Sequence, residues 1–244
     1  MRMYFMTLEK RIDLSRFLHS EEFFRYRFPE IALDKPRGFI DTQNQPGIDS
    51  SDYLVMFSEQ PRSYCVGCVD MVNSTKISAS ISSQKLPTYY ETFLNSMSKI
   101  IGKFGGRVIK NVGDCLLYYF PNSVDTGMDG LLECLNCGLA MIEAQTIICQ
   151  QLTTQKLPCL SYRVSADCGN VLLMSTTDSA TLDFIGPSVN MCAKINLYAD
   201  NNEFVIGGDL YELIKKIPRY RFEQKLSCNV GFKQSYPVYK VRQH

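Results

Sequence analysis

Apolar and polar positions alternate along most of this chain with two different periods. A period of two, in runs bounded by Gly, Pro, Asn or Ser, predicts strands. By this pattern the strands cover residues 62–70, 107–112, 115–120, 161–167, 170–175, 203–206, 219–226 and 236–242. Gly113-Asp114 and Gly169 lie at the expected turns of two hairpins, and a Ser/Thr-rich turn is expected after the first strand.

A period near 3.6 predicts the helices. Over residues 128–150 the apolar side chains with this rhythm are Leu131, Leu132, Leu135, Leu139, Ile142 and Ile147. Another helix is predicted over 87–104, ended by Gly105-Gly106, and two more are predicted over 187–199 and 208–215. Because strands and helices interleave but two connections are hairpins, the pattern favours an α+β fold with a mixed or antiparallel sheet.

Residues 1–60 lack both periods, which separates them from a predicted domain over 61–244. Within this lead-in, 23–29 is aromatic and basic, and 41–52 is rich in Asp, Gln, Ser, Pro and Gly, as linkers are. Three roles for the lead-in stay open: a cap on the domain, an arm in a dimer, or a docking segment for a regulatory partner.

Composition and charge narrow the class of protein. Hydrophobic residues make up 45% and charged residues 21% of the chain, ordinary values for a protein that buries a core. The 26 basic and 25 acidic residues leave a net charge of +1, so no nucleic-acid partner is expected. No stretch approaches the ~18–20 uninterrupted apolar residues of a membrane span. Glu9 and Lys10 interrupt the N-terminal run too early for a signal peptide, so a cytoplasmic protein is expected.

Ten cysteines raise the question of a metal or disulfide site. Cys65 and Cys68 lie in a predicted strand, where positions i and i+3 face opposite sides, so one metal ion cannot hold both. Cys134 and Cys137 share a helix face, but apolar residues share that face too. We therefore expect the cysteines to be small buried hydrophobic residues rather than zinc ligands or redox groups.

Two carboxylates stand at the tips of predicted apolar strands. Asp70 ends the first strand, and Asp114 lies at the turn of the hairpin. Adjacent strands would bring them together into an oxygen-rich site, which Mg²⁺ or Mn²⁺ prefers and which commonly holds nucleotide phosphates. The pair points to phosphoryl or nucleotidyl chemistry. A turn or N-cap role for each aspartate is the alternative.

Four segments together resemble the class III nucleotidyl cyclases, the catalytic domains of adenylate and guanylate cyclases. Residues 68–75 resemble the first metal motif of that family, and residues 108–114 resemble the second. Residues 163–171 resemble its central hairpin, and 183–194 resemble the Gly-x-x-Val-Asn-x-Ala-x-Arg start of a helix. The four segments occur in the order found in that family.

The resemblance implies a fold, an activity and a metal site. The fold is the class III nucleotidyl cyclase fold, a ferredoxin-like or palm-type, mixed and largely antiparallel sheet flanked by helices. The activity is conversion of ATP to cyclic AMP and pyrophosphate, in which two divalent ions per site, Mg²⁺ or Mn²⁺, assist attack of the ribose 3′-hydroxyl on the α-phosphate. The residues implied for metal are Asp70, Met71 and Asp114, and those implied for the phosphates are Asn73, Ser74 and Thr75.

Base recognition is implied at two positions. In the family, the residue four before the second metal aspartate and the residue seven before the Asn of Val-Asn contact the purine, and here these are Lys110 and Asp183. An ammonium donates and a carboxylate accepts, which suits adenine N1 and its 6-amino group and is the reverse of what guanine needs. The pair therefore predicts ATP, with two solvated edge charges as the alternative.

Three further positions match the family. Asn190 matches the asparagine that orients the ribose, with a local helix-start hydrogen bond as the alternative. Lys194 stands where the family has an arginine that stabilises charge on the α-phosphoryl group, and lysine lacks the bidentate fork. It predicts a slow or lysine-adapted cyclase, or an inactive one if it is a plain exposed residue. Lys233 resembles a lysine that contacts the terminal phosphates, or is an ordinary surface lysine.

Two departures from the family pattern concern the backbone and the sheet. Asn73 replaces a glycine in the phosphate-binding turn, and asparagine tolerates a left-handed backbone better than other residues with a Cβ. Asp167 replaces the histidine of many relatives, and the sequence offers no mechanism for that change.

The resemblance also implies a homodimer with shared active sites. In the family one subunit supplies the metal aspartates, and the other supplies the base-contacting residues, the asparagine and the arginine; this chain has both sets.

Two other functions stay open. One is a catalytically weak or silent cyclase-fold module that binds nucleotide or regulates a partner, which Lys194 favours. The other is a different metal-dependent nucleotidyl enzyme on a related palm-like sheet, which Val189-Asn190 disfavours.

Overall fold

A mixed sheet with helices on both faces organises the protein. The computed structural model describes residues 4–6, 11–20, 55–123, 128–176, 179–225 and 235–243. The strands are β1 Tyr4–Met6, β2 Arg11–Asp13, β3 Val55–Phe57, β4 Arg62–Met71, β5 Arg107–Val112, β6 Cys115–Phe120, β7 Tyr162–Thr176, β8 Ser179–Ile185, β9 Glu203–Gly207, β10 Tyr220–Lys225 and β11 Val238–Gln243. The helices are α1 Leu14–Leu18, α2 Ser74–Ser80, α3 Leu86–Lys103, α4 Met128–Thr154, α5 Pro187–Asn196 and α6 Gly208–Ile214.

The main sheet has nine strands in the described part of the chain. Their order is β10-β11-β9-β7-β4-β6-β5, and β3 and β8 both pair with the second half of β7. The β7–β9 pair is parallel, and the other pairs are antiparallel. Strands β1 and β2 form a separate antiparallel pair. The α+β class and the mixed, largely antiparallel sheet are thereby confirmed.

One face of the sheet is covered by α3 and α4. Tyr89, Phe93, Met97 and Ile100 recur every three or four residues along α3 and are at most 1% exposed. They belong to the same buried cluster as Val69 of β4. Burial of each such side chain stabilises the fold by about 1.5–3 kcal/mol, so this face is the main core.

Helix α4 contributes many of the buried residues of that core. It is long and apolar enough to cross a membrane by length and composition alone, but 67% of its most apolar window is buried inside the protein. Fifteen of its residues are buried, among them Glu133 and Asn136. Asn136 Oδ1 accepts a hydrogen bond from the Tyr220 hydroxyl at 2.7 Å. This environment is that of a core helix.

Helix α5 packs on the opposite face. Ser165 of β7 donates its hydroxyl to the Cys192 carbonyl oxygen at 2.9 Å, and Asn196 Nδ2 donates to Ser165 Oγ at 3.2 Å. Where the helix begins, a Cβ on Gly186 would lie 2.5 Å from the carbonyl oxygen of Asn170, so this close approach to β7 requires glycine. The start of α5 is thus held directly against the central strand.

Two predicted turns and ends are confirmed. The β5–β6 hairpin turns at Gly113, which has φ 63°. Helix α3 ends as expected at Gly105, which has φ 79°, and the Gly106 amide donates to the Ile101 carbonyl oxygen at 2.9 Å. This pattern is a Schellman motif, which satisfies carbonyl groups that the helix end leaves without partners.

Other predicted boundaries were wrong. Residues 161–167 and 170–175 form one strand, β7, which passes through Gly169 without a turn, so the segment that resembles a hairpin is a single strand. A Cβ at Gly169 would lie 3.2 Å from Ser188 Cβ, so the glycine leaves space for α5 to pack closely against β7 and does not form a turn. The expected Ser/Thr-rich turn is helix α2, and the sequence pattern did not predict β8.

Described parts of the lead-in contact the predicted domain. Leu18 of α1 is 2% exposed and belongs to the main core cluster. Lys103 Nζ lies 5.2 Å from the centroid of the Phe17 ring, and β3 extends the sheet beside β7. The aromatic-basic stretch 23–29 and the whole linker 41–52 lie outside the described residues. The domain boundary at residue 60 stays a prediction.

Candidate active site

Asp70 and Asp114 lie close together at one end of the sheet. Asp70 is next to last in β4, and its partner across the β4–β6 pair is Cys115, the residue after Asp114. Burial raises the pKa of Asp70 above its ordinary value, and the charge of Asp114 raises it further. The two carboxylates therefore repel each other in the protein alone, and a bound cation would relieve that repulsion.

This donor set fits a divalent ion that is shared with a substrate. The described residues contain no group of three or more His, Cys, Asp or Glu that could hold a metal. Mg²⁺, however, is commonly held by one or two carboxylates together with phosphate oxygens and water. Met71 ends β4 with its side chain in the core, 3% exposed, so only its main-chain oxygen could serve as a ligand.

The turn after β4 places the start of α2 beside the carboxylates. Val72 donates its amide to the Ser161 carbonyl oxygen at 2.8 Å, so this amide is already paired and is not available to a phosphate. Asn73 has φ 58° and ψ 29°, so it adopts the left-handed backbone expected of it. Ser74 and Thr75 form the first turn of α2, where amides have no acceptor within the helix. These amides are the ones that an anion could reach.

Lys110 and Asp183 form an ion pair although they are 73 residues apart. Lys110 lies on β5 and Asp183 on β8, strands that pair with β6 and β7 respectively. Lys110 Nζ donates to Asp183 Oδ2, and the Phe184 amide donates to Asp183 Oδ1 at 2.8 Å. The two side chains remain 42% and 24% exposed, so a ligand can reach them. The structure thus presents one donor and one acceptor side by side.

Asn190 and Lys194 are exposed and one turn apart on α5. Four residues span about one helical turn, so the two side chains leave the same side of the helix. The Asn190 amide donates to the Gly186 carbonyl oxygen at 3.3 Å, which leaves its side chain outside this backbone contact. Lys233 lies outside the described residues.

Comparison with known proteins decides the family. The family model described as "Adenylate and Guanylate cyclase catalytic domain" matches residues 57–242. The chain belongs to this family. The match begins at the last residue of β3 and ends one residue before the end of β11, so it includes nearly all of the main sheet.

Solved cyclase structures share the fold of this cyclase domain. The adenylyl cyclase CyaB from P. aeruginosa has a TM-score of 0.70 at 24% identity, covering 76% of this chain and 96% of that one. The guanylyl cyclase Cya2 has a TM-score of 0.64 at 20% identity over 75% of this chain and 92% of its own. The RhGC guanylate cyclase domain from Catenaria anguillulae, in complex with GTP, has a TM-score of 0.63 at 18% identity, covering 74% of this chain and 96% of that one.

A curated relative is the adenylate cyclase of Lachancea kluyveri. The two sequences are 24% identical over an alignment of 141 residues, and the match covers 53% of this chain and 7% of that protein. The cyclase domain therefore spans only a small part of that relative. Since adenylyl and guanylyl cyclases both resemble it, the comparisons establish a nucleotidyl cyclase domain without deciding between ATP and GTP.

Arg163 is a site residue that sequence reasoning missed. It lies directly opposite Asp70 in the β4–β7 pair, and its charge lowers the pKa of Asp70. Its Nε is buried and has no hydrogen-bond partner among the described residues. The guanidinium therefore adds positive charge beside the carboxylates. The sequence placed Arg163 within a motif, but only the strand register brings it next to Asp70.

Asp167 joins three elements of the cyclase domain. Its carboxylate is 1% exposed and accepts hydrogen bonds from the Cys168 amide at 2.9 Å, the Leu210 amide at 3.2 Å and the Tyr236 hydroxyl at 2.8 Å. Burial raises its pKa to about 6. Asp167 thus ties β7 to α6 and to the residues that lead into β11, a structural role for the residue in place of histidine.

The cysteine expectation holds in part. The seven free cysteines of the described residues are buried, apart from a half-buried Cys115. Cys65 and Cys68 face opposite sides of β4, as expected: Cys65 pairs with Cys168, and Cys68 Sγ lies 3.2 Å from Cys115 Sγ. Cys149 and Cys159, however, form a disulfide between the end of α4 and the segment before β7, so the expectation was wrong for this pair.

Proposed function

We propose that this cyclase domain converts ATP to cyclic AMP and pyrophosphate, working as a homodimer with shared active sites. The observation that supports ATP most directly is the Lys110–Asp183 ion pair, which is exposed enough to meet a base. Its ammonium can donate to adenine N1, and its carboxylate can accept from the 6-amino group. Guanine offers an acceptor and a donor in the reverse order and would face like groups at both positions.

The remaining residues have distinct tasks in this proposal. Asp70 and Asp114 would hold Mg²⁺ or Mn²⁺, which when bound lowers the pKa of the ribose 3′-hydroxyl and offsets charge on the phosphates. The first-turn amides of α2 bind phosphate oxygens at a helix N-terminus. The Arg163 guanidinium, opposite Asp70, adds positive charge where the triphosphate would lie.

Lys194 and Asn190 complete the site from the second subunit. The 3′-oxygen forms a bond to the α-phosphorus, the bond to the β-phosphate oxygen breaks, and the hydroxyl proton passes to solvent. Asn190 orients the ribose, and the Lys194 ammonium stabilises the added charge on the α-phosphoryl group. Both residues are exposed on α5 and so can face a substrate held by another copy of the chain.

A silent regulatory module is the second candidate, because a lysine replaces the arginine. Loss of about 2–4 kcal/mol of transition-state stabilisation would slow turnover roughly 30- to 1,000-fold. A module of this kind would bind ATP through the same ion pair without cyclising it.

The test is product analysis. Purified protein is incubated with ATP, GTP, CTP and UTP in Mn²⁺ and in Mg²⁺, and cyclic products are identified by mass spectrometry. Cyclic AMP that disappears in Asp114→Ala supports the proposal. A different cyclic product would contradict the base assignment, and binding of ATP without any product would favour the silent module.

A further inference from the structure

Phe184, the neighbour of Asp183 in β8, packs against two tyrosines of the main sheet. Its side chain is 6% exposed. Its ring centroid lies 4.6 Å from that of Tyr119 in β6 and 5.8 Å from that of Tyr64 in β4. The two tyrosine rings are 5.3 Å apart. We call these three rings the aromatic triad. They connect β8 through side chains to β4 and β6, whereas its main chain pairs with β7.

Among the strands that the structure describes, β8 pairs along its main chain with β7 alone. Asp183 pairs with Met174 of β7, and the register shifts between Met174 and Thr176. Phe184 and Ile185 stay in register with Leu173 and Leu172 of β7, but the shift interrupts regular pairing before Asp183, so side-chain packing adds to what defines the position of the strand. Phe184 supplies that packing through its contacts with Tyr64 of β4 and Tyr119 of β6.

The same residue also orients the carboxylate through its backbone. The Phe184 amide donates to Asp183 Oδ1 at 2.8 Å, while Lys110 holds Asp183 Oδ2. The ring therefore determines where the amide lies, and the amide determines how the carboxylate faces Lys110. A smaller side chain would leave space beside the tyrosines and allow β8 to move.

We propose that Phe184 is a positioning residue for base discrimination, acting through Asp183. This inference rests on the proposed function, in which Lys110 and Asp183 contact the base. A misplacement of about 1 Å in a positioned catalytic group can lower a reaction rate roughly 100-fold, which shows how sensitive such contacts are to position. Movement of β8 would therefore weaken recognition of the base without removing any group that touches it.

The experiment compares the binding of 3′-deoxy-ATP and 3′-deoxy-GTP, which lack the attacking hydroxyl, so the readout does not depend on turnover. Phe184→Leu is expected to lower the ratio of the two affinities by about tenfold. The matched control is Phe93→Leu, which removes the same atoms from a fully buried ring 5.4 Å from Tyr162 on the other face of the sheet. It should lower the melting temperature as much and leave the ratio unchanged.

A double-mutant comparison separates positioning from general damage. Asp183→Asn should abolish the preference for the adenine analogue, and adding Phe184→Leu should then change the ratio no further. If Phe184→Leu does not fold, Tyr119→Leu removes another ring of the aromatic triad and carries the same expectation. A normal ratio in the folded triad variant, or an equal fall in Phe93→Leu, would overturn the positioning role alone. An unchanged ratio in Asp183→Asn would overturn the base assignment and this inference with it.

Discussion

At the scale of single residues, Lys194 limits the proposed reaction most. A lysine keeps the positive charge of the family arginine but offers a point charge instead of two parallel hydrogen bonds. We therefore expect Lys194→Arg to raise kcat with ATP by roughly 30-fold or more above wild type. Lys194→Ala should lower kcat below that of wild type. Initial rates at saturating ATP and Mn²⁺ measure both. A lower kcat in Lys194→Arg would mean that the site is adapted to lysine.

Asp167 predicts a pH dependence of stability. Its pKa is raised from 3.8 to about 6 in the folded protein because the carboxyl is buried. The folded state therefore binds this proton more tightly than the unfolded state, and the stability due to that proton is fully present below pH 3.8 and is lost as pH rises through about 6. The difference amounts to roughly 3 kcal/mol.

Urea unfolding from pH 4 to 7.5 tests this effect. Relative to wild type, Asp167→Asn should gain stability as pH rises from 4 to about 6 and then keep a constant difference, because asparagine does not titrate. Glu91→Gln, the same carboxyl-to-amide change at an exposed position, serves as the control. A constant difference between Asp167→Asn and wild type across the whole pH range would show that Asp167 does not titrate in this range.

At the scale of elements, the contact of α5 with β7 can be tested by two glycine substitutions. Gly186→Ala places a Cβ 2.5 Å from the Asn170 carbonyl oxygen, which is backbone and cannot rotate away. It should destabilise the fold by about 1–3 kcal/mol and reduce turnover, because α5 carries Asn190 and Lys194. Gly102→Ala, in helix α3, has no atom within 4 Å of the new Cβ and should stabilise by about 0.5–1 kcal/mol. Chemical unfolding of both variants gives the comparison.

The elements also show what the sequence could and could not predict. The Gly113 turn and the Gly105 helix end were predictable because each depends on a local backbone conformation with positive φ. Gly169 was misassigned because its reason is the approach of Ser188, which is distant along the chain. Strand β8 was missed because its position depends on Phe184 meeting Tyr64 and Tyr119, and pairing of this kind leaves no short-range pattern.

At the scale of the whole molecule, the motifs identified most of the candidate site, and the register of the sheet supplied the rest. Asp70, Asp114, Lys110 and Asp183 could be named from local patterns that resemble a family. That Lys110 meets Asp183, and that Arg163 lies opposite Asp70, depends on which strands are neighbours. Sequence spacing carries no record of that order.

The central claim is that one chain supplies both halves of a metal-dependent site shared between two copies. The most direct measurement is cyclic AMP production by a mixture of two inactive variants, Asp114→Ala and the double variant Asn190→Ala/Lys194→Ala. Random assortment should restore about a quarter of wild-type activity, because half of the dimers then contain one intact site. A mixture of Asp70→Ala with Asp114→Ala, which damages the same half twice, should stay inactive. No recovery in the first mixture, from variants shown to dimerise, would contradict the account.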